Sequence, residues 1–350
     1  MAAMSLYTSI AGALFDCARP LLHRIDPETS HGLSLHALNL LQSLRCGVSQ
    51  PELGRPVRCL GLQFANPLGL AAGCDKNADY IDALGALGFG HVEVGTVTPR
   101  PQSGNPRPRL FRIRSQRAVV NRMGFNNKGI DHLVARLQQR RFRGICGVNI
   151  GKNAATPLEH AQDDYLISFR KAYAVADYFV VNISSPNTAR LRELQSEDGL
   201  ERIANALLGA RVQLSAAQGR SVPVLVKIAP DLQDDEIELV AAAIQRAGFD
   251  GIVATNTTTR LDLLGAALPE GAAGGLSGAP LRPRSLQVIR QLRAAVGSEF
   301  PIIGVGGISS GTEAVETLRA GATLIQMYTG FVYRGPALVS EILAATRSAG

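Results

Sequence analysis

Eight short apolar runs, each followed by Gly, Asn, Thr, Ser or Lys and then by a helical stretch, recur along the chain. They are Pro67–Ala71, His91–Val97, Ile145–Ile150, Tyr178–Ile183, Pro223–Ile228, Gly251–Ala254, Pro301–Val305 and Ala322–Met327. Unbroken Val/Ile/Leu runs suit strands buried on both faces, and alternation with helices implies parallel order. Eight such units predict an α/β chain folded as a (β/α)8 TIM barrel, with a doubly wound sheet as the alternative. Val57–Phe64, with a turn at Leu60 and Gly61, reads as a hairpin before the first barrel strand. The barrel is expected to occupy 57–350. A Pro-, Gly- and polar-rich linker covers 46–56, and a helical pair covers 1–45. In that pair Leu6, Ile10, Leu14, Ala18 and Leu21 form one stripe, and Leu33, His36, Leu40 and Leu44 a second. Pro27 is expected to end the first helix and open the next. Such a pair can pack on the barrel, lie in a bilayer interface, or do both.

Composition narrows the classes. With 46% hydrophobic and 19% charged residues in 350, disorder, collagen-like repeats and coiled coil are excluded. The net charge of +7 suits an anionic substrate, an anionic cofactor or an acidic surface. No Trp and only 5% aromatic residues leave little for stacking nucleic-acid bases, so no nucleic-acid partner is expected. The cysteines at 17, 46, 59, 74 and 146 form no C-x-x-C pair, which fits a reducing compartment. The six histidines are not clustered with cysteines, and no metal is expected. Residues 1–15 carry no charged side chain, but they are too few to span a bilayer and lack a basic leader, so neither a spanning helix nor a signal peptide is expected.

In a barrel the chemistry sits just after the strands. Those positions hold Ala72-Gly73-Cys74-Asp75-Lys76, Thr96, Asn149 with Lys152, Asn182 with Ser184-Ser185-Pro186-Asn187, Lys227, Thr255-Asn256-Thr257, Gly306-Gly307 and Tyr328-Thr329-Gly330. Amides, hydroxyls and lysines dominate, and histidine is missing. Only 5 of the 36 basic residues are Lys, yet Lys76, Lys152 and Lys227 follow strands, where a compact ammonium is therefore wanted. Lys227, flanked by Val and Ile, needs an anionic partner. Each lysine could otherwise be a solvated surface residue. Gly304–Ile308 after the seventh run and Tyr328–Gly330 after the eighth stand where barrels bind phosphate, and Gly274–Gly278 adds a second glycine-rich stretch. Asn121-Arg122-Met123-Gly124-Phe125-Asn126-Asn127 reads as an amide-rich loop which, with Asn182, Asn187 and Asn256, could surround a small planar polar ligand. Asparagines at such places also serve as turn residues and caps. Ser185 lacks the G-x-S-x-G elbow and an evident His–Asp partner, so a hydrolase triad is not expected. If it acts, it acts as a proton acceptor toward an acidic C–H, and the proton then needs a hydrogen-bonded way out.

NPLGLAAGCDKN (66–77), GTVTPRPQSGNPRPRLFR (95–112), NRMGFNN (121–127), NIGKN (149–153), NISSPNT (182–188), VKIAPDL (226–232), TNTT (255–258), GGLSG (274–278) and GVGGI (304–308) together resemble the class 2, quinone-dependent dihydroorotate dehydrogenases. The likeness covers essentially the whole chain, with nine motifs in family order. It implies a barrel that binds FMN, oxidises (S)-dihydroorotate to orotate in pyrimidine (UMP) biosynthesis, and passes electrons to a membrane quinone. Matched by motif, FMN contacts fall on Ala72, Gly73, Cys74, Asp75, Lys76, Thr96, Asn149, Asn182, Lys227, Thr255, Gly278, Gly307, Tyr328 and Thr329. Dihydroorotate contacts fall on Lys76, Asn121, Arg122, Met123, Gly124, Phe125, Asn182, Asn187, Asn256 and Thr257. Ser185 matches the catalytic base, where class 1 enzymes carry Cys. It would take the C5 proton while hydride leaves C6 for the flavin, with Lys227 stabilising charge on the reduced ring. Cys74 departs from the apolar residue common in the family, which reads as packing. His31 and Arg112 match polar positions of the quinone tunnel, although either could be structural or merely solvated. The helical pair implies peripheral attachment to the inner (cytoplasmic) membrane, on the cytoplasmic side in a bacterium. Three competing readings are a soluble dehydrogenase using fumarate or NAD, a cofactor-free sugar-phosphate barrel, and a membrane scaffold with an inactive barrel.

Overall fold

The computed structural model describes residues 6–44 and 54–348. Most of the expected linker therefore lies outside the described residues. The strands are β1 (Val57–Cys59), β2 (Leu62–Phe64), β3 (Leu68–Leu70), β4 (His91–Val97), β5 (Leu110–Ile113), β6 (Ala118–Asn121), β7 (Ile145–Ile150), β8 (Tyr178–Asn182), β9 (Val224–Ile228), β10 (Gly251–Ala254), β11 (Gly275–Gly278), β12 (Ile302–Val305) and β13 (Leu324–Met327). β3, β4, β7, β8, β9, β10, β12 and β13 are parallel and close into a barrel in that order. They coincide with the eight apolar runs, and every residue of these strands but Ile145 is buried. Helices pack outside, so each strand is covered on both faces, as its composition requires.

The β1–β2 hairpin pairs Val57 with Phe64 around the turn at Leu60 and Gly61. It fills the end of the barrel where the strands begin: Cys59 and Phe64 pack with Tyr178, Leu225, Val253, Ile303 and Leu324. His91 stands edge-on to Phe64 and Tyr178, at centroid distances of 5.3 and 6.3 Å. A Cβ at Gly69 would lie 2.0 Å from His91 Nε2, so the first strand approaches this ring only because it carries glycine there.

The pair at the N-terminus consists of α1 (Leu6–Leu22) and α2 (Pro27–Ser43). Pro27 opens α2 as expected, with Asp26 capping the Thr29 N–H at 2.8 Å. α1, however, ends at Leu22 and not against Pro27, because the residue before a proline is driven out of the helical region and the break spreads over residues 23–26. Tyr7 donates to the Ala83 carbonyl at 3.0 Å, which seats α1 on the barrel. Arg109, which follows β4, grips Glu28 of α2 through Nε at 3.1 Å and Nη2 at 2.7 Å. Leu14, Leu21, Leu33, Leu40 and Leu44 nevertheless remain more than half exposed on this pair. No helix among the described residues is long and apolar enough to cross a membrane.

One element was not anticipated. β5, β6 and β11 form a three-stranded antiparallel sheet outside the barrel, with Asn121 opposite both Leu110 and Gly275. Asn121 therefore ends a strand, and Gly274–Gly278 is mostly strand as well.

Candidate functional site

An open cavity of about 1210 Å³ lies where the barrel strands end. Its wall is built from the residues that follow those strands and from the antiparallel sheet that overhangs them. Ala72, Gly73, Lys76, Thr96, Asn182, Ser185, Asn187, Lys227, Thr255, Asn256 and Thr257 line it, as do Asn121, Met123, Gly124 and Phe125. Gly278, Gly307, Tyr328 and Thr329 line it too. Four expected contacts do not. Asp75 turns inward and accepts the backbone N–H groups of Asp79 at 3.0 Å and Tyr80 at 2.7 Å. Cys74 faces the other side of its loop, Arg122 binds the Pro108 carbonyl at 2.9 Å, and Asn149 lies beneath the wall. Lys152 is also elsewhere, donating to the carbonyls of Asn153 and Thr156 and so bracing its own loop.

The floor is a continuous polar network. Asn149 Oδ1 accepts from Thr96 Oγ1 at 2.5 Å and from Asn182 Nδ2 at 3.2 Å, and Asn182 Oδ1 accepts from Asn256 Nδ2 at 3.2 Å. Beneath it Glu93, which has no exposed surface, accepts from Asn149 Nδ2 at 2.8 Å and Gln326 Nε2 at 2.7 Å, with Tyr178 Oη at 3.4 Å. Lys227 is 5% exposed and makes no hydrogen bond or ion pair among the described residues; burial lowers its pKa and Glu93 opposes that fall. Glu93 and Gln326 were missed from the sequence. The available signal was a carboxylate and an amide inside two fully buried strands, residues that a buried position tolerates only when paired.

At the other end of the cavity, chain geometry admits only glycine. Gly307 has φ +70° and its Cβ would stand 2.6 Å from that of Arg282; Gly278 has φ +99° and its Cβ would meet the Arg117 carbonyl at 2.3 Å. The Gly307 N–H has no protein acceptor among the described residues. The first turn of α10 (Thr329–Arg334) begins beside it and brings further unpaired N–H groups. Backbone donors held close together without side chains suit a phosphate, and the buried, partnerless Lys227 suits an anionic ring. The residues present therefore fit a phosphorylated planar cofactor.

A second cavity, of about 1330 Å³, opens between α1 and α2. Its lining is chiefly apolar, with Ala11, Leu14, Leu35, Leu38 and Phe331 among the contacts, and His31 and Arg112 also face it. His31, Leu110, Val119 and Tyr328 line both cavities and form the partition between them. His31 donates Nε2–H to the Cys74 carbonyl at 2.9 Å; burial, with Lys76 adding repulsion, brings its pKa down to about 4, so it is neutral. Arg112 donates to the Leu22 carbonyl at 3.2 Å and has a buried Nε without a partner. Glu28, absent from the sequence-based expectations, borders the first cavity, and Arg109 holds its carboxyl below the usual range.

Residues 56–348 match the family described as dihydroorotate dehydrogenase. Relatives described as dihydroorotate dehydrogenase (quinone) include one from Cellvibrio japonicus, 52% identical over 96% of this chain and 98% of its own. Another, from Nitrosomonas eutropha, is 54% identical over 93% and 95%. Among solved structures, dihydroorotate dehydrogenase from Eimeria tenella in complex with ferulenol superposes with a TM-score of 0.82 at 36% identity, covering 91% of this chain and 90% of that one. The ligand-free form superposes with a TM-score of 0.81 at 38% identity, covering 91% and 94%.

Proposed function

The chain belongs to the dihydroorotate dehydrogenase family, whose members are flavoenzymes. On that premise we propose that it oxidises (S)-dihydroorotate to orotate for pyrimidine biosynthesis, with FMN in the barrel cavity and a membrane quinone as electron acceptor. The observation that carries this reading is the shared wall of His31, Leu110, Val119 and Tyr328: a cavity that carries amides, hydroxyls and two lysines meets a more apolar one there. A charged, planar substrate suits the first and a lipid-soluble acceptor the second.

The residues divide the work. Backbone N–H groups at Gly307 and the start of α10 would hold the cofactor phosphate, and Thr96, Asn182, Thr255 and Lys227 would hold its ring. Lys76 meets the substrate carboxylate, and Asn121, Asn187 and Asn256 pair with its ring amides. Ser185 Oγ takes the proton from C5 as its own hydroxyl proton passes to solvent; the Oγ accepts the Asn187 N–H at 3.2 Å, which fixes its position. FMN, when bound, accepts the hydride equivalent from C6 and supplies the electrons to quinone. Lys227 holds a positive charge where negative charge develops in the ring. The exposed leucines of α1 and α2 rest in the bilayer interface, so the acceptor enters from the membrane without a spanning helix. The Cys74 and Asp75 carbonyls accept from His31 Nε2 and the Gly95 N–H, so these two residues brace their loop, and His31 and Arg112 serve as polar points of an otherwise apolar tunnel.

Turnover with a short-chain ubiquinone, compared with fumarate and with NAD⁺, tests the acceptor. Quinone should support dihydroorotate oxidation at least about tenfold faster, a barrier difference near 1.4 kcal/mol. Equal or greater rates with a soluble acceptor would remove the quinone reading.

A further inference from the structure

Glu93 stands one layer below the cavity floor, with its two carboxylate oxygens in contact with Asn149, Gln326 and Tyr178. A carboxylate only accepts, so each neighbouring amide must present its NH2 to Glu93 and turn its carbonyl away. Asn149 Oδ1 is thereby aimed at Thr96 and Asn182, which line the cavity. Gln326 Oε1 is left buried and without a partner, on a residue that itself lines the cavity. Lys227 stands opposite Asn182 in the β8–β9 ladder, and Asn182 reaches Glu93 through Asn149, so Lys227 borders the same floor, where Glu93 opposes the fall of its pKa. Three titratable groups packed near Glu93 carry no charge near neutral pH: burial brings His91 to about 3, pushes the Cys146 thiol to about 12 and raises Tyr178 well above its ordinary value, while Lys76 lies on the cavity wall above.

Resting on the function proposed above, we propose that Glu93 is a positioning residue for the redox step: it holds Lys227 as the ammonium and orients the amides of Asn149 and Gln326, which sets the polarity of the floor beneath the cofactor ring. It touches neither substrate nor cofactor. Its effect passes through Lys227, whose charge stabilises electron-rich states above it, and through two carbonyl oxygens whose direction it dictates.

The chain has only five lysines, so holoenzyme labelled with ¹³C at lysine Cε gives few enough signals to assign Lys227 by single substitution and to follow its titration. In Glu93→Gln the Lys227 signal should titrate at least about one pH unit lower than in the parent, a tenfold change in its protonation equilibrium. The reduction potential of the bound flavin should become more sensitive to pH over the same lowered range. Unchanged titration of Lys227 in a folded Glu93→Gln protein would overturn the proposal. If that variant does not fold, Glu93→Asp carries the test: charge is kept, so Lys227 should titrate within a few tenths of a pH unit of the parent, and a full-unit fall would count against it. The lysine titration does not depend on catalysis. Failure of the function proposed above would appear separately, as flavin that dihydroorotate cannot reduce.

Discussion

Ser185 has no carboxylate or imidazole bonded to it among the described residues, so its basicity is not raised by a relay. Its role rests on position, and general-base catalysis by a positioned group contributes about 10²–10⁴-fold. Ser185→Ala should retain flavin and slow anaerobic flavin reduction by that factor in stopped flow; a rate within twofold of the parent would remove Ser185 from the mechanism. His91 allows a second prediction. Buried without a partner for either nitrogen, it has a pKa of about 3 in the folded state against an ordinary 6.5. Below pH 6.5 the unfolded chain therefore takes up a proton that the folded chain refuses, and stability falls with pH by about 1.4 kcal/mol per unit until the folded pKa is reached. His91→Leu should flatten the urea-measured stability between pH 6.5 and 4; a slope equal to the parent's would show that the ring is solvated. Such residues were only half legible. Lys227 stood out because a lysine among Val and Ile demands an anion, but its counter-charge, Glu93, is 134 positions earlier and adjacent only after the barrel closes. Cys74, Asp75 and Arg122 sit in the right motifs, yet which way a loop side chain turns is decided by the hydrogen bonds of its neighbours.

At the scale of elements, the barrel strands were legible to within one or two residues because burial on both faces leaves an unbroken apolar run. The antiparallel sheet was not. Its strands are short, and in β5 the half-buried Leu110 and Phe111 are followed by Arg112 before Ile113, which gives neither a run nor a clean period. That sheet brings Leu110 and Val119 to the partition between cavities, so the missed element bears on function. The helical pair was legible from its stripes, but its attachment through Glu28 and Arg109 was not. Arg109 is 8% exposed in its side chain and doubly bonded to Glu28, and hydrogen bonds to charged groups are worth about 1.5–3 kcal/mol. Glu28→Ala should lower stability in denaturant by that order; no change in the unfolding midpoint would show that solvent replaces the carboxylate. Removing residues 1–45 should spare flavin reduction by dihydroorotate and impair reoxidation by quinone. Normal quinone turnover in that truncation would refute the tunnel.

Across the whole molecule, two cavities meet at four side chains, one carrying amides, hydroxyls and lysines and the other lined more by apolar groups. In the function proposed above, the barrel end receives a polar anion and the helical pair an apolar acceptor, and the two need never mix. The eight-fold repeat with which the sequence is first read accounts for one cavity only. The other depends on a pair of helices whose apolar stripes exceed what the barrel can cover, leaving leucines exposed. The central claim is that electrons cross this partition by way of a flavin, and a single anaerobic titration tests it most directly. Dihydroorotate added to the purified holoprotein should bleach the flavin absorbance, and a short-chain ubiquinone added next should restore it, with orotate formed in equal amount to the flavin reduced. Flavin that dihydroorotate fails to bleach, or that stays reduced after quinone is added, would contradict the account.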